Sequence, residues 1–269
     1  MNIKLIICDL DGTLIGDDFA LSPRVRETVA RAQAAGIRGT LASGRGYPPM
    51  RGFARQLGID APLIAYQGAQ TWSAEGVLLD ETLLSRDYLP EAIEYCAENG
   101  LELAVYAQDR IYQSSQLYDD AYYAVWFGLP QVYVEDVIVA LPGDPIKYIA
   151  IAPDRASGDR IEREVRALAG GRYQVMRSHA WFVEGLAAGV SKGAAAARLA
   201  ARLGVPREQV MALGDGGNDL ALVEWAGLGV AMGNAAPAVK AAAAVIAPPQ
   251  AEEGAVWAIE RYALNGGRP

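Results

Sequence analysis

The chain alternates short apolar runs with longer segments of helical periodicity. Leu5-Ile6-Ile7-Cys8 is a nearly continuous apolar run, the pattern of a strand buried on both faces of a parallel sheet. A turn at Gly16-Asp17-Asp18 follows, and Ser22-Pro23 then supplies an N-cap with proline at the first helical position. The helix so opened runs to about Ala35 and stops at Gly36. A strand over residues 37–42, a helix over 48–57 and a third strand over 62–66 come next. Residues 71–82 alternate around Ala74-Glu75-Gly76 and predict a β-hairpin.

From residue 83 the texture changes. The pattern predicts a helix over 88–98, a strand over 101–107, a helix over 116–127, strands over 146–152, 173–178 and 181–184, and a charged amphipathic helix over 159–168. Tyr118, Tyr122 and Trp126 recur at spacings of four, as do Tyr123 and Phe127, and read as packing residues. His179 is expected at the surface, in a turn between two strands. The parallel-sheet pattern returns after residues 185–189. A helix capped by Ser191 runs to residue 203, strands cover 210–213, 228–231 and 245–247, a helix spans 218–225, and a last one closes the chain over 253–264. The predicted fold class is α/β: a doubly wound, mostly parallel sheet built from residues 1–82 and 187–269, with an inserted α+β domain over 83–186.

Charge narrows the function. With 52% apolar and 21% charged residues the composition is that of a globular protein, and the net charge of −8 speaks against nucleic acid or an anionic membrane as partner. An anionic small molecule stays open if local cations or a metal attract it. Cys8 and Cys96 make no disulfide framework, Cys8 reads as a small core residue, and a cytoplasmic location fits. The chain starts straight into a strand, so no signal peptide is expected, and the weakly charged region 225–239 is too short and broken to span a bilayer. With His179 the single histidine, the chemistry is expected to run on carboxylates, lysine and hydroxyls.

Those groups gather at strand ends. A carboxylate cannot stay unpaired in the core, so Asp9 must emerge at the carboxyl end of the first strand, with Asp11 two residues on and Gly12 turning the chain. In open α/β sheets that edge is where ligands bind. The pair suggests a metal site, or an acid and a nucleophile. The second strand delivers Ser43-Gly44-Arg45-Gly46 to the same edge: a hydroxyl, flexible amides and an arginine that can bind an anion. Lys192 opens a helix, where the macrodipole favours anions, and it makes sense if an anion lies beside it. The strand over 210–213 ends in Gly214-Asp215-Gly216-Gly217-Asn218-Asp219, whose glycines do not match a dinucleotide fingerprint.

The segments Asp9-Leu10-Asp11-Gly12-Thr13, Ser43-Gly44-Arg45, Ser191-Lys192-Gly193 and Gly214-Asp215-Gly216-Gly217-Asn218-Asp219 stand in an order and at separations that resemble the haloacid dehalogenase superfamily, specifically its Cof-like phosphatases. The resemblance covers essentially the whole chain. It implies a Rossmann-like core over 1–82 and 187–269 and a substrate-specificity cap over 83–186. It also implies a phosphatase of a small phosphorylated metabolite, a sugar phosphate first, acting as a monomer or small homo-oligomer. By the same resemblance Asp9 is the nucleophile and Asp11 the general acid and base. Mg²⁺ would be bound by Asp9, the backbone carbonyl of Asp11 and Asp215, supported by Asp219. Ser43, Lys192 and Asn218 would hold the phosphoryl oxygens, with Gly44 and Arg45 nearby. The family often carries asparagine where this chain has Gln67, which puts a substrate contact from that loop in question. A phosphomannomutase-like transferase and a silent sugar-phosphate-binding regulator remain as alternatives. Carbon–halogen hydrolysis would need neither Asp11 nor Asp215.

Overall fold

The structure is a computed structural model and describes residues 2–119, 121, 123–124 and 127–267. They form two compact units, one running through Asp80 and resuming at Ser191, the other spanning Glu81–Val190. The division falls two residues earlier and four residues later than the sequence pattern suggests. The reason at the second crossing is local: after the Phe182–Leu186 strand the chain turns on itself, Val190 N–H donating to the Ala187 carbonyl at 3.2 Å.

In the first unit, Leu5–Cys8 is central, and all four of its residues are buried. It pairs in parallel with Val210–Gly214 on one side and Arg38–Leu41 on the other, and Leu228–Ala231 and Val245–Ile246 extend the sheet in order. Cys8 is level with Leu213 and Leu41, so three loops leave the same edge within one residue of each other. The Lys192–Arg202 and Leu220–Trp225 helices cover one face through Ala195, Ala196, Leu199 and Leu222. The Pro23–Ala34 helix lies against the last helical segment and buries Val25, Val29 and Ala32. Strands Leu63–Ala65, Gln70–Trp72 and Leu78–Glu81 make a small three-stranded sheet, which contains the expected hairpin.

The second unit is a six-stranded sheet in the order Gln174–His179, Phe182–Leu186, Lys147–Ile151, Glu102–Ala107, Arg110–Gln113, Gln131–Tyr133. Residues of the Leu89–Glu98 and Arg155–Ala169 helices share one core with it. The pattern missed Arg110–Gln113, which returns along Glu102–Ala107 as a tight hairpin through Gln108 and Asp109, and Gln131–Tyr133, which pairs in parallel with Arg110–Gln113. In the segment 116–127, Gln116 and Leu117 are not helical, whereas Ala121, Tyr123 and Ala124 are; Tyr122 and Trp126 lie outside the described residues. Tyr123 and Phe127 are buried, and the Tyr123 hydroxyl donates to the Glu102 carboxylate at 2.5–2.6 Å. Tyr123 is therefore not an exposed ring; Tyr118 is half-buried. His179 is not in the turn but ends its strand, half-buried, its ring 4.5 Å from Trp181 and 5.3 Å from Phe182.

A Cβ on Gly193 would fall 2.2 Å from the Ala221 carbonyl oxygen, so the helix bearing Lys192 can approach the Leu220–Trp225 helix only without a side chain there. Gly193→Ala should destabilise the fold by about 2 kcal/mol through overpacking against backbone. Denaturant midpoints measure this, and an unchanged midpoint would show that the helices separate freely.

Candidate active site

The site grows from the carboxyl edge of the five-stranded sheet. Asp9 leaves the central strand buried, its N–H still donating to the Leu213 carbonyl at 3.0 Å. Lys192, the first helical residue after the Ser191 cap, is completely buried, and its Nζ lies 2.6 Å from Asp9 Oδ1 and 2.6 Å from Asp219 Oδ1. That answers the oddity of a cation at a helix N-terminus: two carboxylates face it. Asp219 Oδ2 accepts the N–H groups of Asp215 and Gly216, each at 3.0 Å, so both of its oxygens are engaged and the turn after Val210–Gly214 is locked.

The charges do not balance. Burial, then Asp219, push the Asp9 carboxyl well above the usual carboxylate range, with Lys192 pulling the other way. Burial, then Asp219, push Asp215 up to about 7. Burial pulls the Lys192 ammonium down, but Asp219 and Asp9 outweigh it and hold it above the ordinary lysine range. Oxygens of Asp9, Asp215 and Asp219 lie within 4.8 Å of one another. An oxygen-only set with surplus negative charge fits a hard divalent cation, and because Asp219 is occupied by Lys192 and two amides, Asp9 and Asp215 are the natural direct ligands.

The structure brings Asp9, Lys192, Asp215 and Asp219 together and places Asp11 differently. The side chain of Asp11 is partly exposed and taken by Arg45, whose Nε and NH2 donate to its two oxygens at 2.8 and 2.6 Å. Arg45 also rests 5.2 Å above the Phe19 ring. Ser43 is buried, and its Oγ accepts the Arg45 N–H at 3.1 Å. Asn218 donates from Nδ2 to Gln67 Oε1 at 3.0 Å. Gln67, where the resemblance puts a substrate contact in question, is fully buried beside Asn218.

Two further residues escaped sequence reasoning. Thr13 Oγ1 lies 3.4 Å from Asp215 Oδ1, and Asn234 Nδ2 donates to Asp215 Oδ2 at 3.1 Å and to the Gly12 carbonyl at 2.9 Å. Asn234 could have been found: it follows the Leu228–Ala231 strand, on the same edge as Asp9 and Asp215.

The raised Asp215 carboxyl gives a signed prediction for metal-free protein. Between the ordinary value of 3.8 and about 7 the folded state holds a proton that the unfolded state has lost. Its stabilising contribution is complete below that window and lost as pH rises through it. A divalent cation favours the ionised form, so Mg²⁺ should raise the melting temperature more at pH 8 than at pH 5. Thermal melts with and without chelator decide; equal Mg²⁺ shifts at both pH values would contradict the assignment.

The comparisons agree on one family. Residues 6–259 match the haloacid dehalogenase-like hydrolases. The chain is 32% identical over 276 residues to the YxeH protein of Bacillus subtilis, covering 97% of this chain and 98% of that one. It is 28% identical to the 5-amino-6-(5-phospho-D-ribitylamino)uracil phosphatase YcsE of the same organism, covering 98% and 97% of the two chains. A solved haloacid dehalogenase-like hydrolase from Bacteroides thetaiotaomicron superposes with a TM-score of 0.84 at 32% identity, covering 97% of this chain and 99% of that one. With the parallel sheet, its inserted α+β unit and a buried aspartate–lysine centre at the sheet edge, the chain belongs to the haloacid dehalogenase-like hydrolases, in their Cof-like branch, and is a phosphoric monoester hydrolase of that superfamily.

Proposed function

We propose that this chain is a Mg²⁺-dependent phosphatase of a small phosphorylated metabolite, a sugar phosphate in the first instance, working through an aspartyl-phosphate. One observation carries the reading: a fully buried Lys192 Nζ held 2.6 Å from Asp9, which fixes the orientation of the carboxyl group and sets a cation where an anionic group would also bind. The relative named for a phosphoribityl compound supports a small polyhydroxylated leaving group. The reading also puts the enzyme in the cytoplasm as a monomer or small homo-oligomer, with neither nucleic acid nor membrane as partner. Among the described residues no helix is long and apolar enough to cross a membrane.

In this mechanism an Asp9 oxygen attacks phosphorus, the bond from phosphorus to the leaving oxygen breaks, and Asp11 gives that oxygen a proton. Asp11 then takes a proton from water, whose oxygen attacks the same phosphorus and releases Asp9 and inorganic phosphate. Lys192, the Ser43 hydroxyl and the Asn218 amide carry the charge on the phosphoryl oxygens, with Gly44 and Arg45 alongside. Asp9, the Asp11 carbonyl and Asp215 would hold Mg²⁺, supported by Asp219; when bound it neutralises charge so that a carboxylate can approach a phosphate. Phosphoryl transfer asks mainly for such positioning and neutralisation. Arg45 occupies both oxygens of Asp11 in this structure, so proton transfer requires one of them to be freed. Residues 83–186 would select the leaving group as a cap, while the core reads the phosphate.

The test is phosphate release from a panel of pentose, hexose and nucleotide monoesters with Mg²⁺ and no bisphosphate activator. Release from none of them would overturn the reading, and dependence on an activator would point to a mutase. Within that panel, Asp11→Asn should slow alkyl phosphates by about 10²–10⁴, the usual worth of a general acid, and an activated aryl phosphate far less. Equal losses on both would remove Asp11 as the acid.

A further inference from the structure

Gln67 sits where the chain takes an uncommon path. Tyr66 and Gln67 both have positive φ, 49° and 61°, in the left-handed region that non-glycine residues seldom enter. Residues held there cluster at functional sites, where surrounding contacts over-determine them. Those contacts are on the page. Tyr66 N–H donates to the Arg45 carbonyl and Gln67 N–H to the Ser43 carbonyl, each at 2.9 Å. A Cβ on the next residue, Gly68, would lie 2.4 Å from the carbonyl oxygen of Ser191, the cap of the helix that carries Lys192. Three consecutive residues thus lean on the loop bearing Ser43 and on the start of the lysine helix.

The Gln67 side chain reaches the remaining loop. It is fully buried, and its Oε1 accepts Asn218 Nδ2 at 3.0 Å. Its Nε2 lies 2.4 Å from where a Cβ on Gly44 would be, so only a glycine lets the amide lie against that backbone. A primary amide can present either a donor or an acceptor to its surroundings. For Asn218 the choice decides whether an anion beside it meets an N–H or a carbonyl oxygen. Committing one N–H to Gln67 fixes the amide plane, and Asn218 Oδ1 is turned over Gly216, 2.3 Å from the position of a Cβ there.

We propose that Gln67 is a positioning residue for phosphate binding: it sets the Asn218 amide so that its second N–H, and not its oxygen, faces the phosphoryl group. The inference rests on Ser43, Lys192 and Asn218 being the phosphoryl-binding groups. It assigns a role to a residue that departs from the asparagine which the resembling family often carries.

Inorganic phosphate is the probe, with Mg²⁺ present, its Kd read by calorimetry and its Ki by inhibition of aryl phosphate hydrolysis. Gln67→Gly removes the side chain while suiting the positive φ, so the melting temperature should hold or rise while both constants weaken about tenfold, the scale of one lost hydrogen bond to a charged group. KM for a small aryl phosphate and for a sugar phosphate should rise by the same factor, because the effect is on the phosphate. On an Asn218→Ala background, Gln67→Gly should add nothing, since no amide is left to orient. Gln67→Leu, which keeps the bulk and loses both polar groups, provides the same comparison should the glycine variant fold poorly. Phosphate constants unchanged in both folded Gln67 variants would overturn the proposal, as would losses at Gln67 and Asn218 that multiply. A wild-type protein that neither binds phosphate nor releases it from any monoester would instead remove the reading beneath it.

Discussion

A buried ammonium between two buried carboxylates governs this molecule. Lys192 touches Asp9 and Asp219 at 2.6 Å each, and none of the three groups meets solvent appreciably. Taking one partner from such a cluster leaves uncompensated buried charge, which costs about 3–5 kcal/mol. The cluster therefore does two jobs with one set of atoms. It ties the first strand of the chain to a helix that begins 183 residues later, and it holds the Asp9 carboxyl, the proposed nucleophile, in a place from which water is largely excluded. Asp215 adds a third carboxyl group within reach of the other two, a set of oxygens that could hold a divalent cation.

Much of the geometry around that centre follows from the register of the parallel sheet. Because Cys8, Leu41 and Leu213 are level, Asp9, Ser43 and Asp215 leave the sheet side by side without any dedicated scaffold. The loops are then fixed to one another by side-chain hydrogen bonds, several of them to backbone amides and carbonyls. Asp219 holds the Asp215 turn through two N–H groups, Gln67 ties the Ser43 loop to Asn218, and Asn234 joins Asp215 to the Gly12 carbonyl. Backbone-held groups lose little conformational freedom when a ligand arrives, the condition for electrostatic preorganisation.

The parts of this arrangement that were legible in the sequence are those set by local conflict. An apolar run ending in Asp9 forces the carboxylate to the sheet edge, and a lysine opening a helix contradicts the macrodipole unless anions lie nearby. Both conflicts are visible without coordinates. What was not legible depends on contacts between distant residues or on rotamer choice. Nothing local says that Arg45 turns onto Asp11, or that Gln67 reaches an asparagine 151 residues away. His179 read as a surface turn because it lies one residue before the turn; its pairing with Phe182 across the hairpin brings its ring beside those of Trp181 and Phe182. Gln131–Tyr133 is only three residues long and is a strand through its pairing with Arg110–Gln113; that strand is itself short, and its hairpin turns on Gln108-Asp109, which carries no glycine to mark the turn.

Trapping the intermediate tests the proposal that Asp9, held by Lys192, is a covalent nucleophile. Enzyme turning over a good phosphomonoester with Mg²⁺ is quenched in acid within the first turnovers, digested and mapped by mass. A phosphoryl group is expected on the peptide that contains Asp9, discharged on further incubation before the quench and missing from Asp9→Asn. Sustained phosphate release with no adduct at any quench time, or an adduct on a residue other than Asp9, would contradict it.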